Sequence, residues 1–135
     1  MTPVELEIPP RSAYVGVVRL TLASLARTSG LDEDGIEELK MAVSEACANA
    51  VLANEEAGSE EPVTIKYTAD EEALTVLVQD RGGDPEDPAA QDLFDSQGFS
   101  SRVAMSLRLL NSLVDECDFI PRDGGGMTTQ LVVRR

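Results

Sequence analysis

Histidine is absent from this chain of 135 residues. Its absence excludes a Ser-His-Asp triad, a Cys-His nucleophile pair and most catalytic zinc sites, because each of them needs an imidazole. Only two cysteines are present, which is too few for a disulfide framework. We interpret Cys47 and Cys117 as buried thiols rather than a redox pair.

Long apolar runs and basic residues are also scarce. No stretch approaches about 18 consecutive apolar residues, so we expect no membrane-spanning helix. The N-terminal segment lacks a basic start followed by an apolar run, so we expect no secretory signal and a cytoplasmic protein. The 11 Lys and Arg are outnumbered by 25 Asp and Glu, giving a net charge of −14. This balance argues against contact with nucleic acid or anionic lipid; it suits a basic protein partner, or simply solubility.

The chain does contain enough apolar residues for one core. Hydrophobic residues make up 42% and charged residues 27%, as is typical of a soluble globular domain, here over residues 1–135. Alternating apolar residues predict strands, and apolar residues three or four apart predict helices. In chain order we predict a strand over 4–8, a helix over 12–28, a helix from 32 or 34 to about 55, strands over 63–67 and 74–78, a helix over 100–112, and strands over 117–120 and 127–133.

The predicted helices have recognisable ends. Ser12 is the expected cap of the first helix and Gly30 its stop. The inward stripe of this helix is predicted to be Tyr14, Val18, Leu22 and Leu25. For the second helix, Asp34 with Glu37 reads as a capping box, and Asp32 is the alternative cap.

The order of elements predicts the fold class. Strands clustered in hairpins favour a mixed, mostly antiparallel sheet of about five strands. About three helices would cover one face of this sheet, which gives a two-layer α+β sandwich. Residues 81–99, rich in glycine, proline and aspartate, are predicted to be irregular.

The second helix carries an unusual polar pair. From Met41 to Ala53 its only polar side chains are Ser44, Glu45 and Asn49. Glu45 and Asn49 lie one helical turn apart in an apolar surround, where a carboxylate is costly without a partner. We predict that both face a common cavity. The alternative is a solvent-facing pair that only touches itself.

Two further segments carry polar groups beside glycines. Asp80-Arg81-Gly82 follows the second strand of the predicted hairpin, where an aspartate can accept a ligand's hydrogen bond and glycine lets the backbone approach closely. The triplet 124–126 precedes Thr128 and the final strand. Taken singly, these segments are also compatible with an ordinary acidic turn and a flexible hairpin loop.

Together these segments resemble the ATP-binding fold shared by histidine kinases, gyrase and MutL. The resemblance is carried by Glu45-x-x-x-Asn49-Ala50 as the N box, Asp80-x-Gly82 as the first glycine box, and 124–129 as the third. The size, the leading strand and the segments 18–25 and 113–116 make the chain similar to the anti-sigma-factor serine/threonine kinases of the RsbW type. The resemblance covers nearly the whole chain, from Val4 to Arg134.

The resemblance implies a role for each matching residue. Asn49 would coordinate Mg²⁺, Glu45 would act as the catalytic base towards the acceptor hydroxyl, and Asp80 would accept a hydrogen bond from the adenine amino group. ATP or ADP would also contact Gly82, Gly98, Gly126 and Thr128. Arg19, on the first helix, would face the protein partners, which are a sigma factor and an anti-sigma antagonist, and the chain would be a homodimer.

Several positions depart from the family pattern. Asp84 and Met127 replace glycines of two boxes, Ala53 stands where a histidine often follows the N box, and Ala104 and Ser106 replace the Gly-x-Gly that leads into the third helix. Two functions therefore stay open: a regulatory kinase, or a non-catalytic partner-switching protein with a degenerate nucleotide site. A third interpretation is an unrelated acidic α+β adaptor.

Overall fold

The computed structural model describes the backbone of residues 3–82 and 97–135, with side chains in the second range from Met105 onward. Within these ranges, five strands and three α-helices form in the predicted order. They are β1 (Val4–Ile8), α1 (Val15–Thr28), α2 (Glu33–Ala57), β2 (Val63–Ala69), β3 (Ala73–Gln79), α3 (Gln97–Leu113), β4 (Glu116–Pro121) and β5 (Met127–Arg134).

The strands form one sheet in the order β1-β2-β3-β5-β4, and all four pairings are antiparallel. Buried and half-exposed residues alternate along β2 and β3, as expected when a sheet faces the core on one side. The helix α2 packs against both α1 and the sheet. The predicted two-layer α+β sandwich is thus confirmed, with the core between the sheet and the helices.

The start of α1 differs from the prediction. Residues Ser12–Tyr14 form a short 3₁₀ turn, and α1 begins at Val15 with no capping side chain, so the predicted Ser12 cap is wrong. Because a 3₁₀ turn has about three residues rather than 3.6, it turns Tyr14 away from the stripe of Val18 and Leu22. Tyr14 is accordingly 41% exposed, so its predicted place in the core is wrong.

The ends of α2 are set by Asp32 and Gly58. Asp32 has an extended backbone, and its carboxylate accepts a hydrogen bond of 2.7 Å from the Gly35 N–H. Asp34 already lies inside the first turn, so the Asp34–Glu37 capping box is wrong and the alternative cap is correct. Gly58 ends the helix in the left-handed conformation, with φ of 68°.

The third helix begins at Gln97, three residues before the predicted start. Most of the segment predicted to be irregular, including Asp84 and Asp95, lies outside the described residues. Both cysteines are free, and burial raises the pKa of the Cys47 thiol to about 12 and that of Cys117 to about 11, which keeps both protonated at neutral pH. Among the described residues, no helix is long and apolar enough to cross a membrane.

Candidate nucleotide-binding site

The segment after β3, which we name the Asp80 turn (Asp80, Arg81 and Gly82), holds a buried carboxylate. Asp80 is only 6% exposed. Its Oδ1 atom accepts hydrogen bonds from the backbone N–H of Gly82 at 2.9 Å and of Met127 at 3.0 Å. Both donors use Oδ1, so Oδ2 has no donor from the residues that the structure describes.

The C-terminal end of α2 fixes the Asp80 turn through Asn54, which is fully buried. The Asn54 Oδ1 atom accepts a hydrogen bond of 2.7 Å from the Arg81 N–H. Its Nδ2 atom donates to the Glu61 carbonyl at 2.9 Å, just before β2. One side chain therefore joins a helix end, the approach to β2 and the turn that carries Asp80.

The loop between β4 and β5, here called the glycine hairpin (residues 122–127), closes over the Asp80 turn. One arginine of each segment donates hydrogen bonds to the backbone of the other segment. Arg122 Nη1 donates to the Asp80 carbonyl at 2.7 Å. Arg81 Nη1 donates to the carbonyls of Asp123 and Gly125, at 3.1 and 3.0 Å. A Cβ atom on Gly126, where φ is +100°, would lie 2.2 Å from the Asp80 carbonyl oxygen. Only glycine allows this approach.

The electrostatics of Asp80 are dominated by desolvation. Burial raises the pKa of this carboxyl above its ordinary value of 3.8, although the two backbone N–H groups, Arg122 and Arg81 act in the opposite direction. Burial, together with the neighbouring Arg81, also lowers the pKa of the Arg122 guanidinium. The charged carboxylate is thus incompletely compensated, and a further donor at Oδ2 would stabilise it.

The polar face of α2, defined as Glu45 and Asn49 with Ser106 of α3, is a second cluster. Glu45 and Asn49 are half-buried, and Met41 is 52% exposed two turns before Asn49. The Asn49 Nδ2 atom lies 2.5 Å from the buried Ser106 hydroxyl, to which it donates. No described residue forms a hydrogen bond or ion pair with the Glu45 carboxylate.

The two clusters are neighbours along α2. A Cβ atom on Gly82 would lie 2.9 Å from the Ala53 Cβ and 3.3 Å from the Ala53 carbonyl oxygen. Ala53 follows Asn49 by one helical turn, so the Asp80 turn packs against the same stretch of α2 that carries Asn49. The small side chain of Ala53 makes room for this contact.

The remaining predicted site residues, Thr128, Gly98 and Arg19, lie on three different elements. Thr128 is buried on β5, where it pairs with Gln79, the residue before Asp80. Gly98 lies in the first turn of α3, where N–H groups have no partner within the helix. Arg19 is exposed on α1, which is a separate surface.

Metal binding has a single predicted ligand here. The described residues contain no group of three or more His, Cys, Asp or Glu side chains that could hold a metal ion. Magnesium commonly uses one or two protein oxygens together with substrate phosphates and water. The free Oδ1 atom of Asn49 is compatible with that mode of binding.

Sequence reasoning missed Asn54, Arg81 and Arg122, which hold the Asp80 turn in place. The contacts that tie the Asp80 turn to α2 and to the glycine hairpin join positions 27 to 44 residues apart in the sequence, and no local pattern predicts them. The usable signal was that Asn54 continues the spacing of the apolar stripe of α2, since it follows Ala50 by four residues and Cys47 by seven.

Comparisons with known proteins agree with this geometry. A family model described as "Histidine kinase-like ATPase domain" matches residues 8–133. The serine-protein kinase RsbW of Bacillus velezensis is 37% identical over 119 residues, which cover 84% of this chain and 74% of that protein. This chain belongs to the RsbW-type anti-sigma kinases of the histidine kinase-like ATPase family. The interpretation as an unrelated acidic adaptor is therefore wrong.

Other RsbW proteins and one solved structure extend the comparison. The serine-protein kinase RsbW of Bacillus subtilis is 36% identical, over 84% of this chain and 74% of that protein. A crystal structure of the RsbU and RsbW domains of a Mycobacterium tuberculosis protein superposes with a TM-score of 0.73 and 19% identity, covering 99% of this chain and 32% of that longer one. At that identity the structural likeness confirms the fold alone.

Proposed function

We propose that this RsbW-type chain is an anti-sigma regulatory factor that sequesters a sigma factor and phosphorylates Ser or Thr of an anti-sigma antagonist with Mg-ATP. The observation that carries the proposal is the buried Asp80 carboxylate, whose Oδ2 atom lacks a donor in the described structure. It packs beside the stretch of α2 that carries Asn49. One ATPase domain over residues 1–135 would contain the whole site.

The residues present fit an adenine nucleotide. The Asp80 Oδ2 atom, which has no donor among the described residues, can accept a hydrogen bond from an exocyclic amino group, and such a bond to a charged group is worth about 1.5–3 kcal/mol. Gly82 and Gly126 keep the backbone around Asp80 free of side chains. Thr128 and the backbone N–H of Gly98 are further proposed contacts to ATP or ADP.

The residues also fit a magnesium-bound phosphate chain. In our proposal, the bound Mg²⁺ neutralises charge on the phosphates, and phosphoryl transfer depends mainly on such neutralisation and on positioning. Asn49 Oδ1 is the protein oxygen that would hold the metal. Its partner Ser106 occupies the amide nitrogen and leaves that oxygen free.

Glu45 is the proposed catalytic base. Its carboxylate is half-buried and lies one helical turn from Asn49, with no hydrogen-bond or ion-pair partner in the described structure. A carboxylate in this state can accept the proton of a Ser or Thr hydroxyl as that hydroxyl attacks. An ion-paired carboxylate would be a weaker acceptor.

The non-catalytic alternative is less well supported. It rests on Ala104 and Ser106, which replace glycines of the family pattern and lie well inside α3, where their N–H groups bond within the helix. Those N–H groups are unavailable to phosphates. Yet Glu45, Asn49 and Asp80, the three residues that would do the chemistry, are all retained.

Partner binding is assigned to α1. On this helix Val17 is 51% exposed and Leu20 is 64% exposed, and the exposed Arg19 lies between them in sequence. Exposed apolar side chains beside a cation suit a protein interface. The proposal also includes a homodimer working in the cytoplasm without direct contact to nucleic acid or membrane.

The test combines two variants with two readouts. Glu45→Gln keeps the size of the side chain but removes the base, so phosphate transfer to the antagonist should fall about 100-fold or more while sigma-factor binding persists. Arg19→Glu should weaken sigma-factor binding about 100-fold, because an inverted charge at an interface costs several kcal/mol. Arg108→Glu, an inversion at an exposed arginine of α3, is the control for net charge.

The results also separate the alternatives. No phosphate transfer by the wild type, with sigma binding intact, would identify the non-catalytic protein. If Arg19→Glu leaves sigma binding unchanged and Glu45→Gln abolishes it, the two surfaces are assigned the wrong way round.

A further inference from the structure

The contact between Asn49 and Ser106 joins two helices across 57 residues of sequence. Ser106 is 4% exposed, and Leu110, one turn further along α3, is fully buried. Ser106 therefore lies on the face of α3 that packs against the core and α2, so its hydroxyl is held in place. Within the described residues, no side-chain nitrogen or oxygen that is fully shielded from solvent lacks a hydrogen-bond partner.

The two ends of the Asn49 amide differ in chemistry. The NH₂ group donates hydrogen bonds and cannot bind a cation, whereas Oδ1 accepts hydrogen bonds and can. A free amide can rotate and exchange the two ends. The bond from Nδ2 to the Ser106 hydroxyl removes that freedom and leaves Oδ1 as the atom available to a metal.

Other Ser and Thr hydroxyls on α1, α2 and α3 indicate how the Ser106 hydroxyl can accept a hydrogen bond from Asn49. Each of four donates its proton to a backbone carbonyl of the preceding turn: Thr21 to Val17, Thr28 to Ser24, Ser44 to Lys40, and Ser112 to Leu109. This is the usual bond of Ser and Thr within helices. A Ser106 hydroxyl that gives its proton to α3 in the same way has lone pairs left to accept from Asn49, but no second proton to offer Oδ1.

We propose that Ser106 is a positioning residue for metal binding: it orients the Asn49 amide so that Oδ1 faces the cation. The inference rests on the proposed nucleotide site and adds a function to one of its departures from the family pattern. The Ser106 N–H bonds within α3 and is unavailable to phosphate, but the Ser106 hydroxyl fixes the orientation of Asn49, the proposed metal ligand. Ser106→Ala should therefore weaken the contribution of magnesium to nucleotide binding and leave metal-free binding unchanged.

The experiment has a ligand-free arm. In ¹⁵N NMR spectra of the protein without nucleotide, Ser106→Ala should shift the Asn49 side-chain NH₂ signals and speed their hydrogen exchange. Ser112→Ala, which removes an exposed hydroxyl from the same helix, should leave them in place. Asn49 signals that are unchanged in Ser106→Ala would overturn the proposal.

The second arm uses ADP titrated by calorimetry with and without Mg²⁺. The magnesium-dependent gain in affinity should fall about fivefold in Ser106→Ala, as expected for one hydrogen bond, and be largely kept in Ser106→Thr. An equal loss with and without Mg²⁺ would mean that Ser106 acts only through packing, and the inference fails. A wild type that shows no magnesium-dependent gain would instead overturn the proposed function, whatever the NMR result.

Discussion

The Asp80 turn and the polar face of α2 are neighbours that are held in very different ways. Hydrogen bonds from the glycine hairpin, from Asn54 and within the turn itself fix Asp80 and Arg81. On the polar face, one hydrogen bond orients Asn49, and Glu45 has no partner among the described residues. The first region is preorganised and the second is adjustable.

This difference suits the two ends of a nucleotide. A base is rigid and identical in ATP and ADP, so a fixed acceptor recognises it without an ordering cost. In the proposed reaction, the phosphate end changes in charge and length during transfer, and the site must also admit the hydroxyl of a protein partner. The Glu45 carboxylate, which has no partner among the described residues, can adjust to those changes, while Ser106 keeps the Asn49 amide in one orientation.

Gly126→Ala should have the largest effect on stability, because it disrupts the contact between the glycine hairpin and the Asp80 turn. The new Cβ would overlap the Asp80 carbonyl oxygen at 2.2 Å and would sit at positive φ. We expect a loss of about 4 kcal/mol in the free energy of unfolding, measured by urea denaturation. Gly58→Ala, also at positive φ but with no atom within 4 Å, should cost only about 1 kcal/mol. Equal losses would show that the close contact is unimportant.

Asn54→Ala should come next. It leaves the Arg81 N–H and the Glu61 carbonyl without their partner, and each unsatisfied buried group costs about 1–3 kcal/mol. We expect about 3 kcal/mol of lost stability and weaker ADP binding, since the Asp80 turn loosens. The exposed Asn111→Ala is the control. A variant that loses stability but binds ADP normally would separate Asn54 from the site.

Asp80→Asn tests the acceptor itself. The amide oxygen can replace Oδ1, but its NH₂ group replaces the open oxygen and faces the adenine amino group as a second donor. ADP affinity should fall about 10- to 100-fold by calorimetry. Asp123→Asn, on the glycine hairpin, should leave the affinity unchanged. Normal ADP affinity in Asp80→Asn would remove Asp80 from the nucleotide site.

Asp80→Asn, which should weaken ADP binding, should not reduce the stability of the fold. Because the folded-state pKa of Asp80 is raised, its contribution to stability is present below the ordinary value of 3.8 and is lost as pH rises through the folded pKa. The ionised carboxylate therefore destabilises the fold at neutral pH. Asp80→Asn should melt at the same or a higher temperature there. A clear drop in melting temperature would show that its hydrogen bonds outweigh the burial of charge.

The smallest expected effect is the difference in affinity between ATP and ADP at the polar face of α2. Because Ala104 and Ser106 lie inside α3, their N–H groups cannot bind the terminal phosphate, and ATP and ADP should differ in affinity by less than about tenfold. Calorimetry with both nucleotides in Mg²⁺ measures the ratio. Strong selectivity for ATP would mean that other groups form the phosphate clamp.

The fold was largely predictable, because its signals are local. Alternation in β2 and β3, together with Gly30 after the first helix, placed these elements. Tyr14 was misplaced because helical periodicity was extended into a 3₁₀ turn.

The site was predictable only in part. Asp80, Gly82 and Gly126 came from a family resemblance, and the structure brings these three together. Asn54 and Arg122 hold them through contacts with segments distant in the sequence, and such contacts produce no periodic pattern. Ser106 was noted only as a missing glycine, since its contact with Asn49 depends on how two helices pack.

The closure of the glycine hairpin over the Asp80 turn also has a consequence for synthesis. The chain emerges from the ribosome N-terminus first, and domains begin to fold during that time. A nascent chain that has passed Asp80 but not yet reached Arg122 lacks the N–H of Met127, the guanidinium of Arg122 and the neighbour of β3. Its aspartate then lacks these contacts, so in our proposal the capacity to bind nucleotide is acquired late, when β5 docks against β3.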